Sequence, residues 1–147
     1  MSKPGVEVQT RAVAATSSGY AIFLGNEEKA FAMFVDHSVG AAIVMFMQGT
    51  RRERPLTYDL LANILRTLGA EIARVIVNDF KRGAYFARLV LSLENELQKK
   101  KIIEIDARLS DCIAIAIHQR APIYINLDVW EELEDMREVL RKTRREA

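Results

Sequence analysis

Two short segments of this chain carry almost no polar side chain, and they limit what it can fold into. Val39 to Met47 reads Val-Gly-Ala-Ala-Ile-Val-Met-Phe-Met, and Asp111 to Ile117 reads Asp-Cys-Ile-Ala-Ile-Ala-Ile. A short helix that is apolar all round has to be covered on more than one side, and a single small sheet covers only one. The remaining side must meet other helices, the C-terminal segment or a second copy of the chain. Because most soluble oligomers are two-fold dimers, the expectation is a homodimer with a mainly apolar interface.

The segments around these two helices are rich in strands. Residues 6–15 mix polar and apolar side chains and read as an edge strand. Residues 20–24 and 30–35 read as a hairpin turning through Gly25-Asn26-Glu27-Glu28-Lys29. Residues 50–55 form a basic loop. A helix over 58–68 follows, with Leu60, Leu61, Ile64, Leu65 and Leu68 on one stripe. Thr57 is placed to cap its start and Gly69 its end. Strands are expected at 72–78, 85–93 and 102–106, with a charged connection over 94–101. The second apolar helix covers 111–118, and a last strand covers 122–125.

Residues 128–146 read as one terminal helix. Trp130, Leu133 and Leu140 give it a narrow apolar stripe that packs on the body or on a second subunit. Its acidic residues lead and its arginines follow, an order that complements the helix dipole. Phe34-Val35-Asp36 before Gly40–Gln48 echoes Glu104-Ile105-Asp106 before Asp111–Gln119. Two related strand–strand–helix units would make an α+β fold with a mixed or antiparallel sheet, short apolar helices and a C-terminal helix. The expected division is a domain over 1–126 and a helical extension over 127–147.

Composition narrows the function. With 147 residues, half of them hydrophobic and 28% charged, the chain suits one core rather than a disordered segment. Its net charge of +1 gives no global attraction for nucleic acid, so binding there needs a local basic patch. The single cysteine, Cys112, rules out an internal disulfide and sits where a small apolar residue belongs. With His37 and His118 the only histidines, a Cys/His zinc site is not expected. No apolar run is long enough for a membrane span, and the N-terminal residues lack a secretory core. A cytoplasmic protein is expected.

Chemistry concentrates at two helix starts that share one grammar. Arg54-Pro55-Leu56-Thr57-Tyr58-Asp59 and Arg108-Leu109-Ser110-Asp111 each place an arginine before a hydroxyl residue and an aspartate. Helix N-termini offer free N–H groups to a phosphate, and arginine supplies a matching fork. Asp59 and Asp111 could hold Mg²⁺ or Mn²⁺, or orient a water for attack on a phosphodiester. The plainer alternative is that Thr57 and Ser110 only cap, while the aspartates pair with Arg54 and Arg108. Asp36 and Asp106 are placed to cap the apolar helices, and Asp79 sits in a turn. The basic runs at 51–54, 81–82 and 99–101 read as loops, able to track a phosphate backbone only if they share a face.

Taken in order, several segments resemble the bifunctional nuclease family, the DNase/RNase domain. They are Gly19-Tyr20-Ala21-Ile22-Phe23-Leu24-Gly25-Asn26, Phe34-Val35-Asp36, Arg54 to Leu61 and Val75-Ile76-Val77-Asn78-Asp79. Tyr85-Phe86-Ala87-Arg88-Leu89, Ile105 to Ala114 and Ala121-Pro122-Ile123-Tyr124 complete the series. The resemblance implies a compact, often dimeric α+β domain that degrades DNA and RNA. The paired arginine–hydroxyl–aspartate pattern inside these motifs makes Tyr58, Asp59 and Asp111 the candidate catalytic residues, and Arg54, Thr57, Arg108 and Ser110 the candidates to meet the nucleic acid. Two residues depart from the family pattern. Tyr58 stands where the family has histidine, and tyrosine is a poor base near neutral pH. Leu109 stands where the family favours proline, which loses a rigid helix start but no reactive group. The competing reading is a non-catalytic oligomeric module that binds a partner protein or a small anion.

Overall fold

The computed structural model describes residues 5–94 and 96–146. Residues 1–4, at the expected non-secretory start, residue 95 of the charged connection and residue 147 lie outside the described residues. The elements run β1 (Gly5–Thr16), β2 (Gly19–Gly25), β3 (Ala30–Val35), α1 (His37–Gln48), α2 (Thr57–Thr67), β4 (Ala70–Lys81) and β5 (Ala84–Glu94). Then come β6 (Lys100–Arg108), α3 (Leu109–Gln119), β7 (Ile123–Asn126), α4 (Leu127–Glu132) and α5 (Arg137–Glu146). This is the expected α+β class, and both apolar segments are helical.

One seven-stranded sheet carries the fold, in the order β3-β2-β1-β7-β4-β5-β6. All pairs are antiparallel except β4 with β7, so the sheet is mixed. The β2–β3–α1 and β5–β6–α3 segments form the two strand–strand–helix units anticipated by the repeat, and α1 packs against α3. Helix α3 carries the chain from the edge strand β6 to the interior strand β7.

The first strand corrects the sequence reading: β1 lies between β2 and β7 and is not an edge. Its mixed composition comes from serving two partners, β7 with its first half and β2 with its second, with a bulge between Thr10 and Ala12. The sheet is strongly curled. Phe31 on β3 and Tyr85 on β5 are five strand positions apart, yet their rings lie 5.6 Å apart. A flat sheet would separate them by about 24 Å.

The concave side holds the core. Ile22, Leu24, Ile43, Val75, Val77, Ile113, Ile115 and Ile125 are essentially inaccessible there. Gly40 lets α1 approach β2 closely, since a Cβ at this position would lie 2.1 Å from the Tyr20 ring. Helix α2 behaves differently. Leu60, Ile64 and Leu68 of its apolar stripe are 55%, 47% and 69% exposed, and only Ala62 is buried.

The terminal helix is two helices. Lys29 at the β2–β3 turn donates to the carbonyls of Trp130 (2.7 Å) and Leu133 (3.0 Å). The Met136 N–H donates to the Ala30 carbonyl at 2.7 Å, and Asp135 accepts from the Ala30 N–H at 3.1 Å. These tertiary partners capture the backbone between α4 and α5 and stop the helix. The stripe divides with it. Trp130 and Leu133 join the main core, while Leu140 packs with Ala21, Phe23 and Ala30 on the opposite face of the sheet. Among the described residues, no helix is long and apolar enough to cross a membrane.

Candidate functional site

Neither hydroxyl residue caps its helix. Leu56 occupies the cap position of α2, and Thr57 is the first helical residue, exposed. Three residues on, Asp59 closes the turn by accepting from the Leu56 N–H at 2.8 Å. Arg108 occupies the cap position of α3, which places Ser110 inside the first turn. Each hydroxyl residue is already helical, one position past the cap in α2 and two past it in α3, and neither helix has a side-chain cap from it. Asp36 does cap α1, accepting from the Val39 N–H at 2.9 Å. Asp106 does not cap α3, because β6 continues past it to Arg108.

The starts of α1, α2 and α3 enclose a cleft of about 420 Å³. Asp36, Ser38, Thr57, Tyr58, Arg108 and Asp111 supply its polar lining. The Tyr58 hydroxyl donates to Asp111 Oδ1 at 2.9 Å, and Arg108 Nε donates to Asp111 Oδ2 at 2.9 Å. The Arg108 side chain is 70% exposed, so its pair with Asp111 is open to water and weak. Burial, reinforced by the bond to Asp111, pushes the Tyr58 phenol far above its ordinary value. Tyr58 is therefore a neutral hydrogen-bond donor throughout the physiological range, and not a base.

Asp59 faces elsewhere. Arg52 grips it with two bonds, Nε to Oδ2 at 2.7 Å and a terminal nitrogen to Oδ1 at 2.5 Å. His118 Nε2 lies 2.7 Å from the same Oδ1, and Gln119 Nε2 lies 2.6 Å from His118 Nδ1. Phe46 ties this group together, with the Arg52 guanidinium 4.7 Å from its ring centre, the His118 ring edge-on at 4.9 Å and Tyr58 at 5.9 Å. The Arg52 fork holds the Asp59 carboxyl far below the usual carboxylate range, although burial opposes the shift. The partner expected from the sequence, Arg54, is exposed and lines no part of the cleft. Arg52 replaces it because its side chain lies over Phe46 before forking onto Asp59.

The sequence-nominated residues therefore divide. Tyr58, Thr57, Arg108 and Asp111 share the cleft, while Asp59, Arg54 and Ser110 are not among its lining. Adjacent residues of α2 reach two points on α3, Tyr58 touching Asp111 and Asp59 touching His118. Those points are seven residues apart, on one helix face and separated by about 10 Å. His118, Arg52 and Ser38 were not nominated from the sequence. The spacing of His118 from Asp111, two turns along an otherwise apolar helix, was the signal that could have found it.

Other nominated groups are quiet. Cys112 is buried, and burial pushes its thiol up to about 12. Asp79 lies near the end of β4, not in a free turn, and pairs with Lys81 at 3.0 Å. Among the described residues, no group of three or more His, Cys, Asp or Glu side chains could hold a metal ion. A resident metal centre built on several imidazole or thiolate ligands does not fit that donor set. Asp36 and Asp111 are two hard oxygen donors in the cleft, and their chemistry suits a Mg²⁺ or Mn²⁺ held largely by water and phosphate.

The cleft, α2 and α3 all fall inside a match to the bifunctional nuclease domain that spans residues 22–137. The chain belongs to this family. Uncharacterized proteins from two strains of Mycobacterium tuberculosis are each 31% identical over 100 residues, covering 68% of this chain and 56% of theirs. Bifunctional nuclease 2 of Arabidopsis thaliana is 32% identical over 80 residues, covering 54% of this chain and 24% of its own length. The chain thus spans about half the length of the mycobacterial proteins and about a quarter of the plant one.

Proposed function

We propose that this bifunctional nuclease domain hydrolyses phosphodiester bonds of DNA and RNA in the cleft between α1, α2 and α3. The observation that carries the reading is the Tyr58–Asp111–Arg108 set, brought together from two helix starts in one solvent-open cleft. Arg108, exposed and forked, binds the phosphate. Asp111 orients the attacking water, and the Tyr58 hydroxyl keeps that carboxylate in place by donating its single proton to it. The Arg52–Asp59–His118 group sets the angle of α2 on α3 and so positions Tyr58 over Asp111. Thr57 meets the strand at the cleft wall, while Arg54 and Ser110 lie outside the cleft lining. A divalent ion carried in by the substrate would be held by Asp36 and Asp111 and would neutralise charge on the phosphate.

The test is cleavage of labelled single- and double-stranded DNA and RNA by the purified chain with Mg²⁺, Mn²⁺ or EDTA. Cleavage that disappears in Asp111→Ala and is reduced by EDTA supports the reading. Cleavage unchanged by Asp111→Ala rejects it, and no cleavage on any substrate leaves the non-catalytic binding module.

The exposed stripe on α2 favours a second statement, that two copies associate through Leu60, Ile64 and Leu68. Light scattering should give about twice the chain mass at micromolar concentration, and Leu68→Glu should return a folded monomer. A wild-type monomer under those conditions would reject the dimer.

A further inference from the structure

The convex face of the sheet carries a second polar hollow, away from the helix-side cleft. On β4, Val75 and Val77 point into the core, so Arg74, Ile76 and Asn78 point outward. In the register, Ile76 lies beside Arg88 of β5 and beside Tyr124 of β7. Arg74 lies beside Val90, which in turn lies beside Glu104 of β6. Val90 is fully buried beneath these longer side chains. The resulting hollow, about 570 Å³, is lined by Arg74, Asn78, Arg88, Glu104, Tyr124 and Asn126, together with Gly5 and Ile76.

Three features mark this hollow as a site and not an ordinary solvated face. Arg74 and Arg88 are half-buried and, among the described residues, form no ion pair or hydrogen bond, in contrast to Arg52 and Arg108. The Asn78 side-chain carbonyl is shut off from solvent with no donor, at a bulge between Val77 and Asp79. Bulges of this kind re-aim side chains and gather beside binding sites. Tyr124 offers a half-buried ring about 10 Å from Arg88, two strand spacings away. Two free guanidinium groups call for an anion, the ring calls for a planar partner, and Glu104 with the two amides offers acceptors and donors to a base edge.

We propose that this face binds a nucleoside monophosphate, with its phosphate on Arg74 and Arg88, its base on Tyr124 and its base edge toward Asn78, Asn126 and Glu104. The ligand follows from the chemistry of the hollow and does not depend on cleavage in the other cleft. The experiment is titration of the full chain with AMP, GMP and CMP, with adenosine and inorganic phosphate as part-ligands. Calorimetry reads affinity, and backbone amide NMR reads location.

Nucleotide binding with shifts centred on β4, β5 and β7 is expected. Arg74→Ala and Arg88→Ala should each weaken it at least about tenfold, and Arg88→Lys should fall between. Tyr124→Ala should weaken nucleotide but not inorganic phosphate, and Tyr124→Phe should bind like wild type. The outer-face shifts should persist in Asp111→Ala, whatever the helix-side cleft takes up, which separates this site from the proposed catalytic cleft. A melting curve for each variant excludes unfolding as the cause of lost binding. Absence of outer-face shifts at millimolar nucleotide would overturn the proposal, as would shifts confined to the Tyr58–Asp111 cleft. Outer-face shifts that follow protein concentration and ignore nucleotide would also overturn it, and would make the face a contact between copies.

Discussion

The starts of α2 and α3 are written in the same residues and are used in opposite ways. At α3, Asp111 faces a cleft, and its arginine partner is 70% exposed. At α2, Asp59 is 14% exposed and clamped between Arg52, 19% exposed, and His118. One aspartate remains available to a substrate and the other holds two helices together. The difference teaches that a motif of arginine, hydroxyl and aspartate specifies a helix start, while the surface packed against it decides whether the carboxylate is chemical or structural.

That contrast can be broken most sharply by truncating each aspartate. Asp111→Ala should lower cleavage at least about a hundredfold, the low end of a positioned acid–base group, while shifting the melting temperature little. Asp59→Ala should do the reverse, costing about 2 kcal/mol of stability by leaving Arg52 and His118 without their shared acceptor. Thermal denaturation and initial rates on the same preparations separate the two outcomes. Equal loss of stability in both variants would erase the contrast.

The pH dependence sharpens it further. The Asp59 carboxyl is held low in the folded chain, so its stabilisation is fully present above the unfolded value of about 4 and is lost as pH falls through the folded value. Melting temperatures from pH 7 to pH 3 should drop on the acid side, and Asp59→Asn should flatten that drop.

Tyr58→His tests the departure from the family pattern. An imidazole beside Asp111 restores a group able to accept a proton near neutrality, and cleavage should rise about tenfold. An unchanged rate in a folded variant would make the position structural. The smallest effect belongs to the hydroxyls: Thr57→Ala and Ser110→Ala should each change stability by less than about 0.5 kcal/mol, against about 1 kcal/mol for a true cap. Denaturant melts resolve that difference.

Much of this was legible before any coordinates. The apolar runs at 39–47 and 111–117, the strand-like runs at 72–78 and 85–93 and the Gly25–Lys29 turn report local physics, and each became the element expected of it. The exposed stripe of α2 was legible as a stripe but not as a solvent-facing one, because periodicity gives a face without saying what meets it. The choice of Arg52 over Arg54 depended on the ring of Phe46, and the role of His118 on how α2 crosses α3. The break between α4 and α5 depended on Lys29 and Ala30, about a hundred residues earlier in the chain. By itself the sequence determined the α+β class, most of the elements and the residues from which a site could be built. The tertiary structure alone decided which of them share a cleft, since hydrogen-bond partners distant in sequence are selected only when the curled sheet brings their helices into contact.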